Sequence, residues 1–555
     1  MTPTPESADP FSAYRNPADR ALPRSERLSM PLARDVVEQL AVRYGVCIHP
    51  VPVRRIDTCT GASEIIDVPC GAVLESKCPS CAKRNRYLRM AQCREGWHLE
   101  AEPVAEPAPA DEFQRHLVEV RADAQAAHDA ALAAGDLEPA GDYAAAIADI
   151  DAEINNAGMR GTVLGRATGK RSRSTRRRQD APDLPKRRMA PTTLGRTYTG
   201  RDGKTFRPSM FITLTLPSYG KVQDGVPVDP DTYDYTRAAR DALHFAKLID
   251  RFVQNLRRVA GFDVQYFATV EPQKRLAPHL HLAMRGTLPR AEIKAVAAAT
   301  YHQVWWPKVD RVVYDGDHLP VWDKTAGYVD PGTGEVLPTW EQALDALDAD
   351  PGAEPLHVIR FGEQVDARGV LAGTPDADQA IGYLSKYLTK SLGDPISPDA
   401  ANYPAHRAHA ARLADALRYE PCSPTCANWL RYGIQPKNPR PGMMPGRCRG
   451  KAHKPEHLGH AGRRVLVSRK WSGKTLAEHR QDRRAWALAA LGLDPDEQAD
   501  PGRYTWRPIP PGEAGLPPLP VRLLRGIADR QRRQAQLLQL QARAEGRPLH
   551  DLSAI

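Results

Sequence analysis

Two histidines separated by one leucine lie near the middle of the chain, in a stretch that is typical of a β-strand. Side chains alternate between the faces of a strand, so His279 and His281 point the same way while Leu280 packs into the core behind them. Glu271 ends an earlier predicted strand, and the connection 272–278 is short and rich in turn formers. A hairpin there would bring the carboxylate beside both imidazoles, a donor set that suits a divalent cation acting as a Lewis acid. The alternative is two surface histidines and a salt-bridged glutamate.

A later segment carries two tyrosines and two lysines, each pair at the i,i+4 spacing of a helix: Tyr383, Tyr387, Lys386 and Lys390. The helical wheel predicts a buried stripe formed by Ile381, Leu384 and Leu388. Both tyrosines lie at the edge of that stripe, with the lysines beyond them on the polar side. Tyrosine has an ordinary pKa near 10 and is a poor nucleophile, so cations that favour the phenolate have a chemical purpose. The alternative is an amphipathic helix with two aromatic core residues, but beside a metal-binding histidine pair the segment indicates DNA nicking by tyrosine.

The region that must position these groups contains strands and helices without regular βαβ alternation. Strands are predicted at 211–216, 264–270, 279–284 and 358–361, and helices at 237–259, 291–304 and 377–391. Because a central hairpin joins two of the strands and crossover helices do not alternate with them, we expect an antiparallel α+β sheet with flanking helices.

The chain has nine cysteines, which we interpret as metal ligands and buried thiols rather than disulfides. A first group surrounds a Cys-x-x-Cys knuckle and supplies four thiolates, enough for a closed tetrahedral zinc site: Cys70, Cys78, Cys81 and Cys93. Cys59 or His98 could replace one member, and Cys47 is interpreted as an ordinary buried thiol.

A second group follows the tyrosine segment and has three cysteines and a histidine: Cys422, Cys426, Cys448 and His453. His457 and His460 compete as the fourth ligand. We expect a zinc ion at each group, and both sites would be structural because neither leaves a position open for chemistry.

Length and charge narrow the class of protein. A chain of 555 residues can hold three or four compact units, and its net charge of +10 favours a polyanionic partner such as nucleic acid. It contains no stretch near eighteen apolar residues, and its N-terminus lacks the hydrophobic core of a signal peptide, so we expect a cytoplasmic protein without a membrane partner.

Composition divides the chain into six segments. A disordered tail is predicted at 1–45, a zinc-binding module at 46–100, an Ala- and acid-rich insert with an Arg-rich linker at 101–204, the nickase domain at 205–395, a second zinc-binding and DNA-binding module at 396–475, and a helical basic tail at 476–555. The run of arginines and lysines between Arg166 and Arg188 either binds phosphate or is a solvated linker.

Three motifs occur in a recognisable order: the strand Phe211–Pro217, the His-Leu-His strand, and the helix Tyr-x-x-Lys-Tyr-x-x-Lys. They resemble the motifs of rolling-circle replication initiators of the HUH endonuclease superfamily. Three further segments are more narrowly similar to the RepSA-type initiators of actinomycete plasmids and integrative conjugative elements: Leu319–Asp323, Tyr328–Gly334 and Gly382–Lys390. The likeness covers 46–100 and 205–475 and much less of the tails.

The resemblance implies an HUH antiparallel sheet and a metal-dependent nickase that uses Mg²⁺ or Mn²⁺. It implies that Tyr387 attacks origin DNA, single-stranded or supercoiled, stays joined to the 5′ end and frees a 3′-hydroxyl primer. Tyr383 stands where related initiators place Glu or a second Tyr, which implies termination or strand transfer. Ser472–Thr475 does not complete a nucleotide-binding loop, because Ser468 stands where the loop requires glycine, so a host helicase and polymerase are the expected partners.

Two other functions remain open. A rolling-circle transposase shares the cysteine knuckle, the histidine pair and the paired tyrosines in this order, whereas conjugative relaxases fit worse because they usually place the tyrosine before the histidines. A non-catalytic zinc-containing DNA-binding regulator would explain the charge and the cysteines but not Glu271, the histidines or the tyrosines.

Overall fold

The computed structural model describes residues 31–103, 110–157, 159, 181–386, 388–389, 403–460, 464–490, 501–510, 512–513 and 515–544. They fall into two compact units, one formed by the residues before 104 and after 178 and the other by the residues between. Within the described ranges, no helix is sufficiently long and apolar to span a bilayer.

The helices are α1 Pro31–Arg43, α2 Pro79–Trp97, α3 Glu112–Ala134, α4 Leu137–Asn156, α5 Tyr235–Ala260, α6 Arg290–Ala299, α7 Trp340–Ala349, α8 Pro375–Lys386, α9 Tyr403–Tyr419, α10 Leu476–Ala490 and α11 Leu519–Ala544. Short 3-10 helices span Ala427–Tyr432, Lys451–His453 and Pro501–Arg503.

The strands are β1 Val51–Asp57, β2 Ser63–Val68, β3 Tyr198–Thr199, β4 Thr205–Phe206, β5 Pro208–Thr215, β6 Val222–Gln223, β7 Val226–Pro227, β8 Tyr266–Pro272, β9 Pro278–Arg285, β10 Tyr301–Val304, β11 Val321–Asp323, β12 Gly327–Val329, β13 His357–Arg360, β14 Val365–Leu371, β15 Val465–Val467 and β16 Tyr504–Pro508. All pairings between these strands are antiparallel, so the architecture is α+β with antiparallel sheets, as the sequence predicts.

The main sheet has five strands in the order β14-β5-β9-β8-β15, with β9 at its centre. One face packs against α5 and α6 through alternate residues such as Ile212, Leu280 and Leu282, all of which are fully buried. The opposite face carries Phe211, Phe267 and Ala283 and packs against α8 and α2. We call the packing against α5 and α6 the first core and the packing against α8 and α2 the second core. Because strand residues alternate between faces, the leucine between the two histidines lies in the first core and the histidines face the second.

The long helix α5 begins where the Asp234 side chain accepts a hydrogen bond from the Arg237 backbone N–H. It ends at Gly261, whose φ of 69° lies in the left-handed region that favours glycine. Its buried face includes Phe245, Leu248 and Phe252, which cover the centre of the sheet. The predicted helix 237–259 is therefore confirmed, and it extends two residues further at its N-terminus and one further at its C-terminus.

Two predicted helices are shorter than expected. The segment predicted as one helix at 291–304 is α6 followed by β10, because Thr300 is extended and the following residues pair with β13. The tyrosine helix is described only to Lys386, and Leu388 and Thr389 form a turn. The carbonyl of Thr389 accepts a hydrogen bond of 2.8 Å from the backbone N–H of Glu75.

Segments from opposite ends of the chain form a second, three-stranded sheet in the order β16-β1-β2. Beside it, α11 packs on α1 through Leu523 and Ile527 against Val37 and Ala41. The predicted tail 476–555 is thus not only helical: it supplies β16 in addition to α10 and α11.

The unit between residues 104 and 178 is an antiparallel helix pair, α3 and α4. Asp111 and Gln114 form a capping box at the start of α3. Arg121 is buried between the two helices and forms an ion pair of 3.1 Å with Asp151. The Ala- and acid-rich insert is therefore helical, whereas the basic run from 166 to 180 lies outside the described residues.

Candidate active site and zinc sites

The β8–β9 hairpin places the predicted metal ligands together. Glu271 on β8 pairs directly with His279 on β9, and His281 lies two residues further along β9 on the same face. One ligand atom from each of the three residues lies within 4.8 Å of the others. The prediction of a hairpin that joins Glu271 to the histidine pair is confirmed.

Hydrogen bonds orient His281 within this group. Its Nε2 lies 2.9 Å from Glu271 Oε1, and its Nδ1 lies 3.1 Å from the Thr213 hydroxyl on the neighbouring strand β5. The His281 side chain is 4% exposed and that of Glu271 12% exposed. Thr213 belongs to the strand of the first motif, and its contact with His281 follows from the pairing of β5 with β9, which the sequence alone does not reveal.

Two polar atoms of the group are buried without a hydrogen-bond partner among the described residues. They are the second carboxylate oxygen of Glu271, Oε2, and the Nε2 of His279. Burial, together with the nearby His281 and Arg275, lowers the pKa of His279 to about 3, so the ring is neutral and offers a lone pair. A divalent cation would satisfy both atoms, so the residues present fit such a metal.

The tyrosine helix α8 covers this face of the sheet. Ile381 and Leu384 are buried, as the predicted stripe requires, and Leu388, in the turn after the helix, is buried as well. The Tyr383 ring packs edge-on against the His281 ring at a centroid distance of 4.8 Å and lies 6.1 Å from the Phe211 ring. The helix therefore presents Tyr383 directly to the candidate metal-binding group.

Of the other predicted catalytic residues, Lys386 occupies the exposed last turn of α8. Tyr387 and Lys390 lie outside the described residues. The described residues after Tyr387 are held by Glu75, whose carboxylate accepts a hydrogen bond of 2.7 Å from the Thr389 hydroxyl. Sequence reasoning did not indicate Glu75, because nothing in the pattern relates it to a segment more than three hundred residues away.

Four cysteines of the N-terminal region form one candidate zinc site: Cys47, Cys70, Cys78 and Cys81. The Sγ atoms of Cys70 and Cys81, and those of Cys78 and Cys47, are each 3.8 Å apart. A tetrahedral zinc ion with Zn–S bonds of about 2.3 Å separates its sulfurs by about 3.8 Å, so the cluster has the dimensions of a closed zinc site.

Cys93 does not belong to this site, which corrects the predicted ligand set. Cys81 and Cys93 lie on the same helix α2, and twelve residues of α-helix span about 18 Å, too far for one ion. Cys93 is buried with Trp97 and Trp471 in the second core, where burial raises the pKa of its thiol. Cys47, predicted to be an ordinary buried thiol, takes its place.

The two substitutes considered from the sequence do not join the group either. Cys59 is exposed in the turn between β1 and β2, and His98 is the residue that ends α2.

The second candidate zinc site contains the four residues that the sequence indicates: Cys422, Cys426, Cys448 and His453. The Nε2 of His453 lies 3.5 Å from the Cys426 sulfur, and its Nδ1 lies 2.9 Å from the Leu417 carbonyl oxygen. A hydrogen bond from Nδ1 to that carbonyl leaves Nε2 free to bind a metal. The competing ligands His457 and His460 lie outside the cluster.

Tight packing joins the first cysteine module to the main sheet. The indole N–H of Trp97 donates a hydrogen bond of 2.6 Å to the Ser209 hydroxyl on β5. Gly96 lies against the Trp471 ring so closely that a Cβ atom there would come within 2.2 Å of it. The buried Arg285 guanidinium donates to the carbonyl oxygens of Trp471 and Gly96 at 2.9 and 3.2 Å.

Comparison with known proteins finds one matching family and a curated relative. The sequence model of the RepSA family, described as the replication initiator protein of pSAM2, matches residues 33–529. A replication initiator protein from Streptomyces ambofaciens is 26% identical over 270 residues, which are 40% of this chain and 52% of the relative. The matched region thus spans about half the length of that relative. No solved structure is significantly similar to the chain.

Because the family match extends over most of the chain, the protein belongs to the RepSA family of replication initiators.

Proposed function

We propose that this protein starts rolling-circle replication of the genetic element that encodes it, by nicking one strand of the origin and remaining joined to the DNA through a tyrosine. In this proposal the main sheet, its histidine pair and α8 are an HUH-type nickase. The observation that carries the proposal is the contact of Tyr383 with His281, beside two buried metal-ligating atoms that have no hydrogen-bond partner in the described part of the chain.

The covalent step joins a tyrosine oxygen to phosphorus. The phenolate oxygen of Tyr387 attacks the scissile phosphodiester, the bond from phosphorus to the 3′ oxygen breaks, and that oxygen takes up a proton to become the primer hydroxyl. The ammonium groups of Lys386 and Lys390 favour the phenolate, and Tyr383 carries out the second transfer that closes the circle. A Mg²⁺ or Mn²⁺ ion held by Glu271, His279 and His281 would supply Lewis acidity toward the phosphate.

The two cysteine groups have a structural role in this proposal, each with one Zn²⁺ ion. A closed set of four protein ligands leaves no position for substrate, so zinc there stabilises the fold and does not take part in the cleavage. Strand separation and synthesis are left to a host helicase and polymerase, and the partner of this chain is origin DNA.

The experiment uses full-length protein and labelled single strands that tile the non-coding DNA next to the gene. With Mg²⁺ or Mn²⁺ present, one strand is expected to give a labelled species that migrates with the protein on a denaturing gel. Tyr387→Phe removes only the phenolic oxygen and is expected to abolish this adduct while DNA binding persists.

An adduct that persists undiminished in Tyr387→Phe would assign the attack to another residue. Metal-dependent binding without any adduct from any strand would favour the non-catalytic regulator instead.

A further inference from the structure

A cavity of about 360 Å³ opens beside Leu388 and Thr389, the described residues that follow Tyr387. Its walls carry six basic side chains: Lys77, Arg86, Arg89, Lys451, Lys454 and Arg464. None of the described residues that line it is acidic. Such a concentration of one charge around a concave surface favours an anionic occupant.

The basic residues come from three parts of the fold. Arg86 and Arg89 lie three residues apart on α2, the helix that follows the first cysteine site. Lys451 and Lys454 belong to the second cysteine module, where the 3-10 helix carries the ligand His453. Lys77 forms an ion pair of 3.1 Å with Glu456 across the two modules, so it is partly neutralised and its main role is to join the walls.

Several polar groups of the cavity lack a partner among the described residues. The Nε of Arg86 and the Nδ1 of His457 are buried, and neither has a hydrogen bond within the described part of the chain. Lys451 and Lys454 are exposed at the rim, and the described residues provide no carboxylate within ion-pair distance of either. Buried polar groups in folded proteins are almost always satisfied, and the Nε–H of Arg86 can only donate, so it indicates a ligand that accepts hydrogen bonds.

The position of the cavity connects it with the candidate active site. Arg464 precedes β15, and its carbonyl oxygen accepts a hydrogen bond of 2.8 Å from the Val270 N–H, next to Glu271 on β8. On the other side, Thr389 is held by Glu75, close in the chain to Tyr387. An occupant of the cavity would therefore lie between the segment of the proposed nucleophile and the strand that carries Glu271.

We infer that this cavity binds a backbone phosphate of the DNA strand that the protein nicks, adjacent to the scissile bond. The inference rests on the proposed function and names a part of its substrate site. Arginine forks are well suited to phosphate oxygens. The volume is at the small end of the ~300–1,000 Å³ of ligand pockets, which suits a phosphate with its sugar.

Binding of a fluorescein-labelled oligothymidylate of about 20 nucleotides, followed by anisotropy over a series of salt concentrations, tests this inference. The double variant Arg86→Gln with Lys454→Gln removes one positive charge supplied by α2 and one supplied by the second cysteine module. Its matched control, Lys83→Gln with Lys437→Gln, removes two exposed charges from the same helix and the same module outside the cavity. No metal is added, so the measurement does not depend on cleavage.

The cavity variant is expected to bind on the order of tenfold more weakly at low salt. The slope of log affinity against log salt should become shallower by roughly 0.7 for each DNA phosphate that the variant no longer neutralises. The control should keep the wild-type slope. If Arg86→Gln lowers the yield of folded protein, Arg89→Gln with Lys451→Gln makes the same test from the same walls.

Wild-type affinity and slope in both cavity variants would overturn the inference. So would a thermal shift with pyrophosphate that the cavity variant loses while its DNA affinity stays unchanged, because the occupant would then be a small phosphate compound. A protein that forms the tyrosine adduct but binds DNA independently of the cavity contradicts the inference alone. Cavity-dependent binding without any adduct contradicts the proposed cleavage alone.

Discussion

Three serine substitutions test which cysteines bind zinc at the first candidate site. They distinguish the four that the structure brings together from the four that the spacing in sequence predicts. Cys47→Ser removes a sulfur 3.8 Å from that of Cys78, whereas Cys93→Ser changes a residue about 18 Å along α2 from Cys81. Cys59→Ser is the matched control, because Cys59 is exposed in a turn. If both sites bind zinc, wild-type protein carries about two zinc ions per chain, and Cys47→Ser should carry about one.

Cys47→Ser and Cys93→Ser are expected to differ in how much stability they remove. Structural zinc supplies on the order of 10 kcal/mol in small metal-dependent domains, which is comparable with the whole stability of a domain. Cys47→Ser should therefore unfold its module locally. Cys93→Ser should keep both zinc ions and cost about 1–3 kcal/mol, because it places a hydroxyl in the apolar cluster around Trp97 and Trp471.

Elemental analysis of protein purified without added zinc measures the zinc content of each variant. Denaturant unfolding followed by tryptophan fluorescence measures the loss of stability. Loss of a zinc ion from Cys93→Ser, or two zinc ions retained in Cys47→Ser, would refute the assignment of the ligands. A zinc content of zero in well-folded wild-type protein would refute both sites.

Three further predictions concern the candidate active site and the second candidate zinc site. His281→Ala should abolish metal-dependent nicking and Glu271→Ala should weaken it with partial recovery at high Mn²⁺, as followed by cleavage of the labelled strand; a normal rate in His281→Ala would rule out this metal site. Tyr383→Phe should affect the first nick only mildly, since the described packing of this ring on His281 does not need the hydroxyl, but should reduce closure of circular single strands; absence of the first adduct in Tyr383→Phe would reverse the roles of the two tyrosines. Gly450→Ala should weaken zinc binding at the second site, so that a chelator removes one ion per chain faster than from wild type, because its Cβ would lie 3.1 Å from the Cys422 sulfur. Gly442→Ala, which has no heavy atom nearby but a φ of 77°, should cost about 1 kcal/mol of stability with the wild-type rate of zinc loss.

The three central strands of the main sheet, β5, β9 and β8, could be predicted from their composition and alternation, whereas the edge strands β14 and β15 were not predicted and the predicted strand 358–361 pairs with β10 in a separate sheet. The leucines of β9 are apolar and its histidines polar, so the period of two residues identifies both the strand and the face of each side chain. The short connection between β8 and β9 predicts a hairpin, and the hairpin in turn predicts that Glu271 lies beside the histidines. The second cysteine site could also be predicted, because no α-helix or β-strand lies between Cys422 and His453 in the described range 403–460.

The first cysteine site required information that local spacing does not contain. Its fourth ligand, Cys47, precedes the β1–β2 hairpin, and the return of that hairpin brings it back to Cys70. One clue was present in the sequence: the residues after Cys81 are compatible with a continuous helix, and an unbroken helix would have excluded Cys93 by its length alone. Contacts between distant segments, such as that of Glu75 with Thr389 or of β16 with β1, depend on the assembled fold.

The same contacts relate the first candidate zinc site to the proposed nicking site. Cys78 and Glu75 lie three residues apart, so the loop that supplies a zinc ligand also holds the residues that follow Tyr387. The helix that begins after Cys78 carries Arg86 and Arg89 to the basic cavity and ends at Trp97, which is hydrogen-bonded to the main sheet. The helix α2 thus connects the first candidate zinc site, the proposed phosphate contact and the main sheet. On the proposed function, a zinc ion at the first site would act indirectly, by stabilising the module that carries Glu75, and its removal should reduce nicking without any change in the residues of the candidate metal site on β8 and β9.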